Sequence, residues 1–255
     1  MVEQQKTDEE SGAPVTRARP ASGFASRVLN IFVEPKRVFD FLRDRGDFWR
    51  PFVFHFLVLS VMGYLTLPGV KEFTAQYMNM LGRETPAGVV LKDYIMAPVN
   101  VAIGLAISFA VLGFVIWLVA LIFAGSARYG QAVSLAAYTY FPVLLGKVVN
   151  SFTLMVAKPV LGDPVAMTVA ASPAINYTSL AQFIGGSPIL QTAFLPVGIF
   201  TLWALYLLVI GLRRSAGVSA TAAWVAAVTI LAVQMGLYAL IAFSISMGLK
   251  AAGAG

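Results

Sequence analysis

Cysteine is absent from this chain, and histidine occurs once, as His55. The first absence excludes disulfides, thiol catalysis and cysteine-ligated metals. The second excludes a multi-histidine metal site. Charge is scarce as well, with Asp, Glu, Lys and Arg at 12% of positions and no acidic residue after Asp163. No glycine-rich phosphate loop or HExxH-type pair can be found. No cofactor is expected.

Apolar sequence takes the place of what is missing, at 58% of residues. Tracts of membrane-spanning length occupy 99–124, 132–146 (continuing to 157), 194–212 and 220–249, and a shorter one covers 52–67. None contains Asp or Glu. A soluble domain has too little interior for so much apolar surface, whereas a bilayer takes about 20 apolar residues per helix and about 17 with thinning. The tracts are continuous rather than alternating, which argues against a β-barrel. The fold class is therefore all-α, a polytopic membrane bundle of five transmembrane helices across residues 52–250. Without carboxylates inside the tracts, intramembrane proteolysis and proton-coupled transport lose their usual side chains.

The net charge is +6, and the densest run of basic residues lies just ahead of the first tract. Residues 17–50 carry Arg17, Arg19, Arg27, Lys36, Arg37, Arg43, Arg45 and Arg50 against Glu34, Asp40, Asp44 and Asp47. At that position the cluster suggests an anchor to anionic lipid headgroups rather than to nucleic acid. Residues 1–21 have almost no large apolar side chains and are expected to be a disordered cytoplasmic tail. Residues 22–51 form an amphipathic basic segment. Phe24, Val28, Ile31 and Phe32, then Val38, Phe41 and Leu42, recur at helical spacing on either side of Glu34-Pro35. Two hinged helices follow, either lying in the headgroup plane or packed against the bundle. The polar first fifty residues lack a signal-peptide pattern, so the first span is expected to act as its own insertion signal.

Topology follows from the basic residues of the connections. Short basic turns hold Arg128 and Arg213-Arg214, while the longer connections are nearly neutral. This places the amino terminus in the cytoplasm and the carboxyl terminus outside. Lys147 lies 19 positions after Arg128, about 28 Å of helix. It can snorkel to the outer interface or face a polar cavity. With Gln131 and Gln234 it makes up the candidate cavity. The Pro- and Gly-rich stretch 158–191 is expected to skim the outer surface or re-enter shallowly. Small residues four apart (Ala102, Ala106, Ala110; Ala222/Ala226; Ala223/Ala227) suit internal packing or a homo-oligomer face. Ser219 is a candidate helix cap. Pro142 removes a backbone donor and displaces the carbonyl of Tyr138, so the third span should kink. Tyr138 and Pro142 are expected in the interior of the cytoplasmic half, against the fourth or fifth span.

The segment EPKRVFDFLRDRGDFWRPF, with Pro35, Phe39, Trp49 and Pro51, resembles the opening segment of bacterial members of the Yip family, which is named for interaction with Ypt/Rab GTPases. AYTYFP resembles that family's Gly-Tyr-x-x-x-Pro element, with Ala137 for Gly and then Tyr138 and Pro142. Residues 203–224 are similar to its fourth span, basic turn and fifth-span start. The resemblance covers about residues 24–249. It implies five spans, a cytoplasmic amino terminus, a bacterial inner membrane and a non-enzymatic role in membrane organisation, trafficking or partner recruitment. The Asp-Leu-x-Gly-Pro element of eukaryotic members is represented only by Val33-Glu34-Pro35, so GTPase binding is not carried over. The leading expectation is a scaffold whose segment 22–51 recruits an unidentified membrane or cytoplasmic protein partner or senses anionic lipid. The alternative is a small transporter or channel working through Gln131, Lys147 and Gln234.

Overall fold

The computed structural model describes residues 23–80, 88–123, 125–156, 179–184 and 188–251. The expected tail 1–21 and most of the stretch 158–191 lie outside them. Two short helices, α1 (Phe24–Val33) and α2 (Pro35–Asp44), precede α3 (Trp49–Met80) and α4 (Leu91–Ile122). The third tract is divided into α5 (Tyr129–Thr139) and α6 (Phe141–Val156). A short α7 (Pro188–Ala193) leads to α8 (Ile199–Ser215) and α9 (Ala220–Ala251). Among the described residues the only β-type pairing is a single bridge between Ser179 and Gly198.

The helix α5 is the axis of the molecule. Every residue from Ala132 to Thr139 is buried, because α4 and α8 close on it. Its small side chains Ala132, Ala136 and Ala137 permit that approach, and the neighbours supply small residues of their own. A Cβ on Gly113 of α4 would lie 2.6 Å from a Val133 methyl and 2.9 Å from the Val133 Cα. The helix run breaks at Tyr140, and Pro142 falls in the first turn of α6, where its missing N–H removes no helical bond. The kink expected of Pro142 is therefore a division into two helices. Pro142 is buried and Tyr138 is fully buried, as expected. Below the break, α6 packs on α3 and α8, with Gly146 against the Phe200 ring.

Among the described residues, four helices are long and apolar enough to cross a membrane: Trp49–Glu72, Leu91–Ile122, Tyr129–Thr153 and Ala220–Ser244. The fourth tract is shorter than its hydropathy suggested. Phe194–Pro196 forms a turn, because Pro196 disfavours helix at the residue before it, and α8 has 17 residues. Conversely, α3 has 32 residues and continues through Pro68, well past the end of its apolar tract at Leu67. Hydropathy reports the surrounding solvent and not the end of a backbone ladder. The outward side chains of the long helices, among them Leu57, Ile103, Ile107, Phe114, Val228 and Leu240, are large, apolar and exposed, as a lipid-facing surface requires.

The amphipathic helices α1 and α2 stand on either side of Glu34, with Pro35 at the first position of α2. Of the two arrangements compatible with their pattern, they adopt the one packed against the bundle. Ile31, Val38, Phe39 and Leu42 are fully buried in one core with Leu135, Leu207, Leu208 and Leu212. Phe32 meets Trp203 edge-on at 5.3 Å between ring centroids. The small-residue stripes divide: Ala222, Ala223, Ala226 and Ala227 are packed inside, but Ala106 and Ala110 are exposed, so internal packing does not hold for that stripe.

The turn between α8 and α9 depends on Gly217, whose φ of 72° is left-handed. It lets the Val218 N–H return to the Leu212 carbonyl at 3.2 Å, and Ser219 then caps α9 through the Ala222 N–H at 3.3 Å. Gly217→Ala is expected to cost about 1–2 kcal/mol from the left-handed strain of an L side chain. A lowered thermal midpoint in detergent, without loss of helix content, would show it.

Candidate functional site: a charged lock on the central helix

Three side chains distant in sequence meet where the amino-terminal hairpin reaches α5. Helical spacing puts Arg27 on the same stripe of α1 as Phe24 and Ile31, so its guanidinium is directed inward and only 3% of the residue is exposed. Asp47 comes from the short link between α2 and α3, and Tyr138 from α5. Arg27 Nη2 donates to Asp47 Oδ2 at 2.7 Å, and its Nε donates to the Tyr138 hydroxyl at 3.0 Å. Tyr138 in turn donates to the same Asp47 oxygen at 2.7 Å. The guanidinium also stands 4.5 Å above the Phe41 ring. Burial opposes the charge on Arg27, but its hydrogen bonds to Tyr138 and Asp47 and the Asp47 carboxylate charge outweigh it and hold its pKa above the ordinary guanidinium value.

The link is fastened by its backbone as well. The Asp47 N–H donates to Ser134 Oγ at 3.0 Å, and that hydroxyl donates to the Gly130 carbonyl at 2.7 Å. One turn earlier, Gln131 Nε2 donates to the Arg43 carbonyl at 2.6 Å. Hairpin, link and the first turns of α5 thus form one hydrogen-bonded unit. Its donors and acceptors are mutually engaged, so its chemistry is positioning and not nucleophilic or acid–base work. Among the described residues no three His, Asp or Glu side chains gather to hold a metal.

What the lock positions is charge. Lys36, Arg37, Arg43, Arg45 and Arg50 are exposed, and Arg128, Arg213 and Arg214 join them from two other connections. Arg214 approaches Asp40 of α2 at 3.8 Å, and Ser126 N–H donates to the Ala216 carbonyl at 2.9 Å. The basic residues of three chain segments therefore belong to one end of the molecule. Arg27 must be removed from the membrane-surface group: its side chain serves the interior.

The remaining expected residues separate. Pro35 is the hinge, Phe39 is core, Pro51 is buried in the first turn of α3, and Trp49 is 71% exposed beside it. Gln131 belongs to the lock, where its Oε1 also accepts from the Arg128 N–H at 2.8 Å. It lies 16 positions before Lys147, about 24 Å of helix, so Gln131, Lys147 and Gln234 do not line one cavity. Lys147 is half-buried on α6, and Gln234 is half-buried on α9. The hydroxyl of Tyr138 faces the hairpin link and not the fourth or fifth tract. Asp47 and Ser134 were not singled out by sequence reasoning. A signal existed: a lone arginine on an apolar stripe requires a buried acceptor, and Asp47 is the first acid after the two helices have turned back.

Among known proteins, the profile of the Yip1 domain family matches residues 29–243. The chain is 26% identical over 243 residues to the membrane protein YknW of Bacillus subtilis (strain 168), an alignment covering 92% of this chain and 96% of that protein. No solved structure matches the chain.

Proposed function

Because this chain belongs to the Yip1 domain family, we propose that it is a non-enzymatic membrane scaffold whose locked amino-terminal hairpin presents a fixed basic face to anionic lipid or to an acidic partner. The observation that carries this reading is the pairing of a buried apolar side on the hairpin with exposed Lys36, Arg37, Arg43, Arg45 and Arg50. A rigid display of cations loses little entropy on binding a negative surface. In this reading the basic face is cytoplasmic, the membrane is a bacterial inner membrane, and α8 is the fourth of five crossings, its 17 residues reaching about 25 Å with local thinning.

The test places the protein in zwitterionic nanodiscs and measures capture of vesicles containing phosphatidylglycerol. Each exposed cation near such a surface contributes on the order of 1 kcal/mol. Lys36→Gln/Arg37→Gln should therefore weaken capture about 30-fold, and high salt should abolish it. Photo-crosslinking from position 45 should give an adduct of one mass that the double variant loses. Unchanged capture in the double variant would refute the basic-face reading. Solute flux through sealed proteoliposomes, abolished by Lys147→Ala, would replace the scaffold with the transporter alternative.

A further inference from the structure

The connection ahead of α8 is built with its polarity reversed. Its described parts are residues 179–184, with a short turn of helix at Leu180–Phe183, and residues 188–198, which begin with α7. Ser179 is fully buried, and its hydroxyl donates to the Phe194 carbonyl at 2.8 Å while accepting from the Ala181 N–H at 3.1 Å. The Leu180 N–H donates to the Val197 carbonyl at 2.8 Å, and Gln191 Nε2 donates to the Ile184 carbonyl at 3.0 Å. Thr192 is buried too. Because α7 packs on α9 and on the turn at Leu180–Phe183, the two parts form one hook held against the bundle. The large apolar side chains are outside: Leu180, Leu190 and Ile199 are exposed, and Phe183 is 83% exposed.

A loop in water keeps polar groups outside and turns its apolar side chains in. The opposite order suits hydrocarbon, where irregular backbone must find its hydrogen bonds within the protein. Composition agrees: no Asp, Glu, Lys or Arg occurs between Asp163 and Arg213. Depth agrees as well. Ile199 lies 14 positions before Arg213, about 21 Å of helix from the basic end, and the hydrocarbon layer is ~30 Å thick. The turn ahead of α8 is thus level with acyl chains, and its exposed side chains continue the lipid-facing surface that includes Leu202 of α8 and Leu240 of α9. We propose that residues 179–184 and 188–198 form a re-entrant hook whose Leu180, Phe183 and Leu190 are immersed in acyl chains of the leaflet facing away from the amino-terminal hairpin. The hook fills the depth that α8 alone does not reach. This rests on the reading of α8 as a crossing and shares no residue with the basic face.

A chain without cysteine accepts one spin label at a time. Labels are attached through Phe183→Cys, Leu202→Cys and Lys92→Cys in the full chain, in nanodiscs of phosphatidylglycerol and phosphatidylcholine. Collisions are measured with oxygen, which concentrates in lipid, and with a water-soluble nickel chelate. Lys92 is exposed at the start of α4 and reports water. The Phe183 label should match the Leu202 label, with nickel collisions at least about tenfold below those at Lys92, because a polar solute entering hydrocarbon gives up its hydrogen bonds to water. Leu190→Cys provides the same reading if Phe183→Cys does not fold. Nickel collisions at Phe183 equal to those at Lys92, with Leu202 in lipid, overturn the hook and leave α8 a crossing. Nickel access at both Phe183 and Leu202 removes the crossing and the hook together. Few collisions with either reagent at Phe183 overturn the lipid assignment in favour of a covering protein.

Discussion

Asp47→Ala is expected to be the most damaging single change in the chain. It strands Arg27, which has 4% of its side chain exposed, without its counter-ion, and it takes the acceptor from the Tyr138 hydroxyl. Removing one partner of a buried ion pair typically costs about 3–5 kcal/mol. The hairpin should loosen before the spans do, so limited proteolysis after Arg37 or Arg43 should accelerate while helix content in detergent is retained. Arg27→Met/Asp47→Ala should recover most of the loss, because it removes both charges and refills the space of the guanidinium stem. If Asp47→Ala resists protease like the wild type, the lock does not hold the hairpin. The other ion pairs give the contrast. Arg50 is 3.9 Å from Asp47 and largely exposed, so Arg50→Ala should change stability by less than about 1 kcal/mol.

The second large effect should come from Gly113→Val. The new Cβ would enter space held by the Val133 methyl and Cα, and backbone cannot swing aside as the end of a long side chain can. Overpacking of this kind costs about 1–3 kcal/mol or more, and here it would separate α4 from the central helix. A Cβ on Gly130 meets nothing within 4 Å, so Gly130→Ala is the matched control and should be neutral or mildly stabilising. Thermal unfolding of the two variants in one detergent makes the comparison. Equal midpoints would mean that α4 and α5 are not as tightly apposed as their backbones indicate.

The helices and their approximate limits were legible in the sequence because bilayer burial imposes long apolar tracts, and those need no partner to be read. The interior placement of Tyr138 and the break near Pro142 were legible too, since a proline inside a span must be accommodated somewhere. What the pattern could not supply was pairing. Arg27 and Tyr138 are 111 positions apart, and no periodicity links them. Counting Arg27 with the surface cations treated charge as a property of a segment, when its place on the stripe of Phe24 and Ile31 already set it inside. The extension of α3 past its continuous apolar tract was hidden because hydropathy stops where water begins.

The packing of the hairpin on α8 has a consequence for biogenesis. Ile31, Val38, Phe39 and Leu42 leave the ribosome first, yet Leu207, Leu208 and Leu212, which cover them, arrive about 170 residues later. At about 5–20 residues per second, that interval is on the order of 10–30 s. Throughout it the nascent chain carries an uncovered greasy face beside a cluster of cations, and only the completed polypeptide can sheathe it. The hairpin is thus made early and is among the last parts to mature, and its docking reports that the later helices have been inserted.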